Sequence, residues 1–299
     1  MSFRIADLAH GQRLTSTLAA IQARTREAQM AIASGKAVRR YDQIADDAGL
    51  LLRARDARTL AGALLDRNQT LARRLQAMDS ALDGLVGIAQ RARAALVRRL
   101  DSGTGRNMPL TTELDSMLAE IAARLNTKLG EDHLFAGSRT DRPPVVLPAG
   151  SITVADPSLY YRGDEVRLSA RVDEGVEITY GVTASDPAFA DLIAALGQAR
   201  VAHAADDRAG LEQAMAGLDA ALDGIIDLRG GLGAEAARLD SIRDAHEAGI
   251  AYLDDIVSGI EDTDVPTVMT RLAQDQATLE AAYAVTGRLA ALSLADYLR

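Results

Sequence analysis

Histidines, paired carboxylates and glycine-rich turns are the residue types that most often carry chemistry, and this chain offers each sparsely. Its four histidines, His10, His133, His203 and His246, lie far apart. None has the H-E-x-x-H spacing that brings two imidazoles to one helix face over a metal. Paired acids occur at Asp46-Asp47, Asp206-Asp207 and Asp254-Asp255. Adjacent helical residues point about 100° apart, so neither carboxylate of a pair converges with the other on one ion or proton. A helix cap at 46–47 and solvated faces at the other two pairs are the expectation. Gly230-Gly231-Leu232-Gly233 follows a helical stretch, where glycines read as a helix stop or flexible joint and not as a phosphate cradle. Tyr160-Tyr161-Arg162-Gly163-Asp164 reads as aromatic packing followed by a turn. There is no cysteine, which removes thiolate zinc sites, iron–sulfur clusters and a thiol nucleophile. No catalytic, metal or cofactor-binding residue is assigned, and the expectation is a protein that is not an enzyme and needs no cofactor.

The elements that position these residues follow from composition and period. The chain has 299 residues, 48% of them AVILMFWYC and 25% charged, but only 3% aromatic, with no Trp. A core of Leu, Ala, Ile and Val favours helix packed on helix. The net charge of −9 has the wrong sign for a generic nucleic-acid binder. No run approaches the roughly 18 apolar residues of a membrane span. Charges at Arg4, Asp7, Arg13, Arg24, Arg26 and Glu27 fall where a cleaved secretory signal needs its apolar stretch. Neither nucleic-acid binding, membrane insertion nor a cleaved signal is expected.

Near the start, Leu14, Leu18, Ile21, Thr25, Ala28 and Ile32 recur at alternating steps of four and three, which lines one face of a helix. Ser34-Gly35-Lys36 supplies the stop. A second helix is expected from about Asp46 to Leu100, with Leu71, Leu75, Met78, Leu82, Leu85, Ala89, Ala92 and Leu96 in unbroken heptad spacing, the pattern of a coiled-coil contact. A third runs through Leu114, Leu118, Ile121 and Leu125 towards Gly130. From Val145 the period changes to two, at Ile152 and Val154, then Val166 to Val172 and Val176 to Val182, the last two joined by Asp173-Glu174-Gly175. This is the pattern of an antiparallel hairpin. Helix resumes at about Ala188. Leu239, Ile242, His246, Gly249, Leu253, Ile256 and Ile260 form a second heptad run, expected to pack antiparallel on the seam at 71–85; His246 is read as a packed residue of it. Asp264 caps the closing helix, with Pro266 in its first turn, and Val268, Leu272, Leu279 and Tyr283 mark its apolar face.

The expected fold is thus mainly α, a long antiparallel coiled-coil bundle pairing N- and C-terminal segments, with a small antiparallel β insert. The domains are residues 1–140 as one helical half, 141–187 as an outward-facing insert, and 188–299 as the other half. On that view removal of about 145–182 would spare the helices. The two terminal helices have weak seams and would gain stability on packing against each other or against copies of themselves. Leu14, Leu18, Ile21, Ala28, Ile32, Val268, Leu272, Leu279 and Tyr283 are therefore the candidate assembly residues.

Several short stretches bear a resemblance. Ile32-Ala33-Ser34-Gly35-Lys36 followed by Ile44-Ala45-Asp46-Asp47-Ala48, Leu134-Phe135-Ala136-Gly137-Ser138 with Thr140-Asp141-Arg142-Pro143-Pro144, Tyr161-Arg162-Gly163-Asp164, Ile260-Glu261-Asp262-Thr263-Asp264 and the ending Leu292-Ser293-Leu294-Ala295-Asp296-Tyr297-Leu298 stand in one order along the chain. Together they resemble the bacterial flagellin superfamily, and within it the members that join hook to filament. Ala48-Gly49 after the paired aspartates is closer to true flagellins. The resemblance implies a structural subunit of the bacterial flagellum, outside the cell, exported unfolded by the flagellar type III apparatus. The partners it implies are copies of itself, an adjacent hook-associated protein, flagellin and an export chaperone. A flagellin that polymerises into the filament itself is the alternative, and a free-standing helical adaptor a further one.

Overall fold

The computed structural model describes residues 2–37, 47–101 and 109–297, with the backbone alone at 2–11 and 289–297. The cap expected at Asp46, the motif at 44–46, the break at 102–108 and the side chains of the closing motif lie outside the described residues. Among the described residues six α-helices carry the fold: α1 Ser2–Ser34, α2 Ala48–Asp101, α3 Leu110–Leu125, α4 Pro187–Ala204, α5 Arg208–Glu261 and α6 Val265–Tyr297. Between α3 and α4 lie β1 Lys128–Leu129, β2 Asp132–His133, β3 Ser169–Asp173 and β4 Val176–Thr179. They form two separate antiparallel pairs, β1 with β2 and β3 with β4. The protein is mainly helical, as its period indicates. No described helix is long and apolar enough to cross a membrane.

The chain divides into two compact units, Met1–Leu60 with Gly249–Arg299 (the terminal unit) and Ala61–Ala248 (the central unit). The division falls inside α2 and α5. In the central unit, the seam Leu71, Leu75, Met78, Leu82, Leu85, Ala89, Ala92 and Leu96 is buried throughout. It joins a core shared with α3, α4 and α5, not a contact with one partner helix. Ion pairs set the direction of α5 on α2: Arg229 Nε reaches Asp79 at 2.7 Å and Arg93 Nε reaches Asp219 at 2.7 Å, so numbers rise on one helix as they fall on the other.

The second heptad run divides between the units. Leu239 is buried in the core of the central unit and Ile242 packs against it. Leu253, Ile256 and Ile260 are half-buried in the terminal unit, where ion pairs of Arg58 with Asp254 and Arg55 with Glu261 set them beside the start of α2. They do not meet the seam at 71–85. Those ion pairs place them at residues 55–58, thirteen or more positions before the seam begins.

Helix α4 lies at the centre of its unit. Asp186 caps it, its Oδ1 accepting from the Ala188 N–H at 3.1 Å, and Pro187 opens the first turn. Phe189, Ala190, Leu192, Ile193, Ala195, Leu196 and Ala199 are all buried, so the helix is apolar on every side, as an enclosed helix must be. Segment 151–153 lies along it and is not a strand. Gln198 Nε2 donates to the Thr153 carbonyl at 2.8 Å, and Arg200 Nη1 to Ser151 Oγ at 2.8 Å. The hairpin itself forms with its turn at Glu174-Gly175. Its Val172 and Ile178 are buried in the same core as the helices, with Val145, Ile152 and Tyr160. Removing 145–182 would therefore open that core.

Three further expectations are corrected. Gly230-Gly231-Leu232-Gly233 does not stop a helix: α5 runs through it. The burial of Leu232 at 4% exposure and the packing of Leu228 on the core outweigh the roughly 1 kcal/mol that each glycine costs a helix. Asp206 is not on a solvated helix face but in the α4–α5 turn at φ +53, where its carboxylate meets the buried Arg99 at 2.5 Å. Helix α3 ends at Leu125 and not near Gly130. There Asn126 turns the chain, its Oδ1 accepting from the Val145 N–H at 2.9 Å and its Nδ2 donating to the Val145 carbonyl at 2.9 Å.

Candidate functional site: the paired terminal helices

Helix α1 stops at Ser34, and Gly35 follows at φ +69. This positive φ lets the chain turn into a short antiparallel contact with the α5–α6 junction. The Thr263 N–H donates to the Gly35 carbonyl at 2.9 Å and the Ala37 N–H to the Glu261 carbonyl at 2.7 Å. Lys36 Nζ lies 2.5 Å from Asp262 Oδ1 and 3.5 Å from Glu261 Oε2. Its hydrogen bond to Asp262 raises the lysine pKa and lowers that of the carboxylate, which also accepts from Ser258. Asp264 caps α6 as expected, with Thr267 Oγ1 2.6 Å from Oδ2.

Beyond this clasp α1 and α6 run antiparallel. Arg24 Nη2 pairs with Asp275 Oδ1 at 3.3 Å, and Gln22 Nε2 donates to the Tyr283 hydroxyl at 2.5 Å. The expected α1 face is the one turned inward: Ile21 and Ala28 are buried, and Leu14, Leu18 and Ile32 are half-buried. On α6 the half-buried or buried described positions are Val265, Val268, Leu272, Asp275, Leu279, Ala282 and Thr286, again steps of four and three. Two corrections follow. Tyr283 is 52% exposed and lies off the seam, which Ala282 occupies instead. Asp275 fills the gap between Leu272 and Leu279. Sequence reading passes over it because a carboxylate breaks an apolar pattern, although the spacing marks it.

The core of this unit is thin. Among its described apolar side chains only Ile21, Ala28, Leu51 and Ala54 are buried, while Tyr252, Met269, Tyr283 and Val285 are 67%, 56%, 52% and 49% exposed. A helix pair with so few buried side chains gains little from its own fold, and its exposed apolar residues suit burial by another chain.

In the central unit, two motifs that are distant in sequence interlock. The Asp164 N–H donates to the Ala136 carbonyl at 3.2 Å. Its carboxylate accepts from the Ser138 N–H at 2.8 Å and from Ser138 Oγ at 2.5 Å. Gly137, at φ +71, has no room for a side chain: a Cβ there would fall 2.2 Å from Asp164 Oδ1. The Tyr161 hydroxyl donates to the Asp164 carbonyl at 2.5 Å, and burial with nearby Asp164 pushes its pKa up to about 12. Tyr160, fully buried, donates to the Ala184 carbonyl at 3.0 Å, and the Ala184 N–H donates to the Phe135 carbonyl at 2.8 Å. Phe135 meets Phe189 of α4 edge to face at 6.2 Å. The aromatic pair is thus a packing device, and the aspartate ties the insert's entry to its interior.

Hydrogen bonds from Ser138, first through its hydroxyl and then its N–H, hold the Asp164 carboxyl below its usual range. A depressed folded-state pKa gives stability that is present above the unfolded pKa of about 4 and lost as pH falls through the folded value. Slow exchange of the Ser138 amide should therefore be retained at pH 5 and fade below about pH 4. Asp164→Asn should show no such step in hydrogen exchange; an unchanged step would assign it elsewhere.

His246 is packed as expected, but against the hairpin: its Nε2 lies 3.2 Å from the Val172 carbonyl. The same carbonyl accepts from the buried Asn68 amide at 2.9 Å. Among the described residues no group of three or more His, Asp or Glu is placed to hold a metal ion.

Comparison with known proteins agrees with this architecture. Residues 215–298 match the family model for the bacterial flagellin C-terminal helical region. A comparison with curated protein sequences finds no match. A structure from Vibrio parahaemolyticus, described as a flagellar hook-associated protein, is similar at a TM-score of 0.62 and 16% identity, covering 72% of this chain and 99% of that one. FlgL of Xanthomonas campestris is similar at a TM-score of 0.52 and 16% identity, covering 70% of this chain and 99% of its own. Bacillus cereus FlgL gives 0.51 and 17%, covering 62% and 98%. Residues 215–298 are therefore similar to the bacterial flagellin C-terminal helical region, and the fold is similar to that of the flagellar hook-associated proteins.

Proposed function

We propose that the protein is a structural subunit of the bacterial flagellum that joins hook to filament, acting outside the cell through contacts between copies and not through catalysis. The observation that carries this reading is the terminal unit, a helix pair with a thin core and exposed Met30, Met269, Tyr283 and Val285. Neighbouring copies, an adjacent hook-associated protein and flagellin would cover those side chains, and the inward face at Leu14, Leu18, Ile21, Ala28, Ile32, Val268, Leu272 and Leu279 holds the pair in shape. Export through the flagellar type III apparatus, with a chaperone shielding the apolar termini, completes this reading. A flagellin that polymerises into the filament is the second reading, favoured by Ala48-Gly49 after the paired aspartates.

Deleting the gene distinguishes the two. Loss of a junction subunit should leave intact hooks without filaments and flagellin shed into the medium, seen by electron microscopy and immunoblotting. Absence of the chain's polymer from both filaments and medium would instead identify a flagellin, because a filament grows by heterologous contacts that do not close. In the purified protein, removal of residues 1–35 or 265–299 should abolish addition to hook or filament ends. The central unit should keep its cooperative unfolding by circular dichroism; continued assembly of either truncation would refute the interface.

A further inference from the structure

The α1–α6 seam has a polar layer at its middle. On α1 the seam positions are Leu14, Leu18, Ile21, Thr25, Ala28 and Ile32, and on α6 Val268, Leu272, Asp275, Leu279, Ala282 and Thr286. Thr25 and Asp275 therefore occupy positions that a heptad reserves for apolar side chains. Asp275 is only 9% exposed. Its Oδ1 is paired with Arg24 at 3.3 Å, while its Oδ2 and the Thr25 hydroxyl oxygen are buried without hydrogen-bond partners. A carboxylate held this way weakens the pair relative to a leucine of similar size, so stability does not account for it.

We propose that the layer of Arg24, Thr25 and Asp275 fixes the axial register of α1 on α6. The rest of the seam has little power to do so. Away from the clasp at 35–37, which holds one end of the pair, Leu, Ile, Val and Ala repeat at the same spacing, Thr286 bonds back to its own helix, and a slip of one heptad exchanges one aliphatic contact for another. The layer breaks that equivalence. A one-heptad slip would set Asp275 against Leu18 or Ile32, a buried carboxylate on aliphatic carbon, with Arg24 carried out of reach. One register then gives one arrangement of the outward residues Met30, Met269, Tyr283 and Val285. The consequence for assembly rests on the function proposed above; the register does not.

The absence of cysteine permits a direct test. Spin labels on Gln22→Cys and Tyr283→Cys, both at exposed positions across the pair, report the register by dipolar spectroscopy on the full chain. The parent should give a single distance. Asp275→Leu should add a second population at a different distance, the result of one helix sliding about 10 Å, the rise of one heptad, holding at least a fifth of the molecules, and Asp275→Asn should not. A single unshifted distance in Asp275→Leu overturns the proposal. If Asp275→Leu gives only a broad distribution from unpaired helices, Asp275→Ala is judged by the same criterion. Loss of end addition in Asp275→Leu with its distance unshifted would overturn the register role while leaving the proposed function standing.

Discussion

Truncating Leu82 to alanine should destabilise the central unit by about 2–5 kcal/mol, the range for large cavities in a packed core, whereas Leu253→Ala should cost about 1 kcal/mol or less. The heptad runs alone treat these two leucines as equivalent. The structure separates them. Leu82 is fully buried in a core to which α2, α3, α4, α5 and the hairpin all contribute, so little can collapse into the space a missing isobutyl group leaves. Leu253 is half-buried in the terminal unit, and water reaches the gap. Chemical denaturation followed by circular dichroism measures both, and equal losses at the two positions would contradict the division of the second heptad run between units.

The other large effect belongs to two glycines. A Cβ at Gly197 would fall 1.9 Å from the Ile152 carbonyl oxygen, and one at Gly137 2.2 Å from Asp164 Oδ1. Neither neighbour is the free end of a flexible side chain. The Ile152 carbonyl belongs to a segment tied to α4 by Gln198 and Arg200, and the Asp164 carboxylate is held by Ser138. Gly197→Ala should therefore cost about 1–3 kcal/mol or somewhat more through forced backbone movement. Gly137→Ala adds a left-handed backbone penalty of about 1–2 kcal/mol to its clash. Gly62, inside α2 with open space around its Cα, is the control: Gly62→Ala should stabilise by roughly 0.5–1 kcal/mol. Denaturation midpoints that fail to order as Gly137→Ala, parent, Gly62→Ala would show that Asp164 yields more readily than its bonds indicate.

These effects concentrate in the central unit, which holds nearly all of the buried apolar side chains. The terminal unit is joined more by polar contacts, such as Lys36 with Asp262 and Arg58 with Asp254. Both of these pairs are about half exposed, and such ion pairs contribute little to stability. They orient helices whose apolar side chains stay partly exposed, as the proposed assembly role requires.

The amino-acid sequence by itself determined most of the helices, though not the end of α3 or the break between α4 and α5, and the hairpin turn at 174–175, the α1 stop at Gly35 and the α6 cap at Asp264, because each depends on spacing or turn chemistry within a few residues. It also marked Leu71 to Leu96 as core. What only the tertiary structure decided were the partners. Leu253 and Ile256 repeat at the right interval for a seam, but a period carries no information on which stretch of another helix it meets, and the ion pairs of Arg58 with Asp254 and Arg55 with Glu261 set it at the start of α2. Glycines at 230–233 carry a local signal to stop that the burial of Leu232 overrides. Strand spacing at Ile152 and Val154 gave way to side-chain bonds with α4. Asp275 shows the same limit from the other side. Its place in the heptad was visible, but only the pairing of α1 with α6 makes a carboxylate there an inward-facing one paired with Arg24.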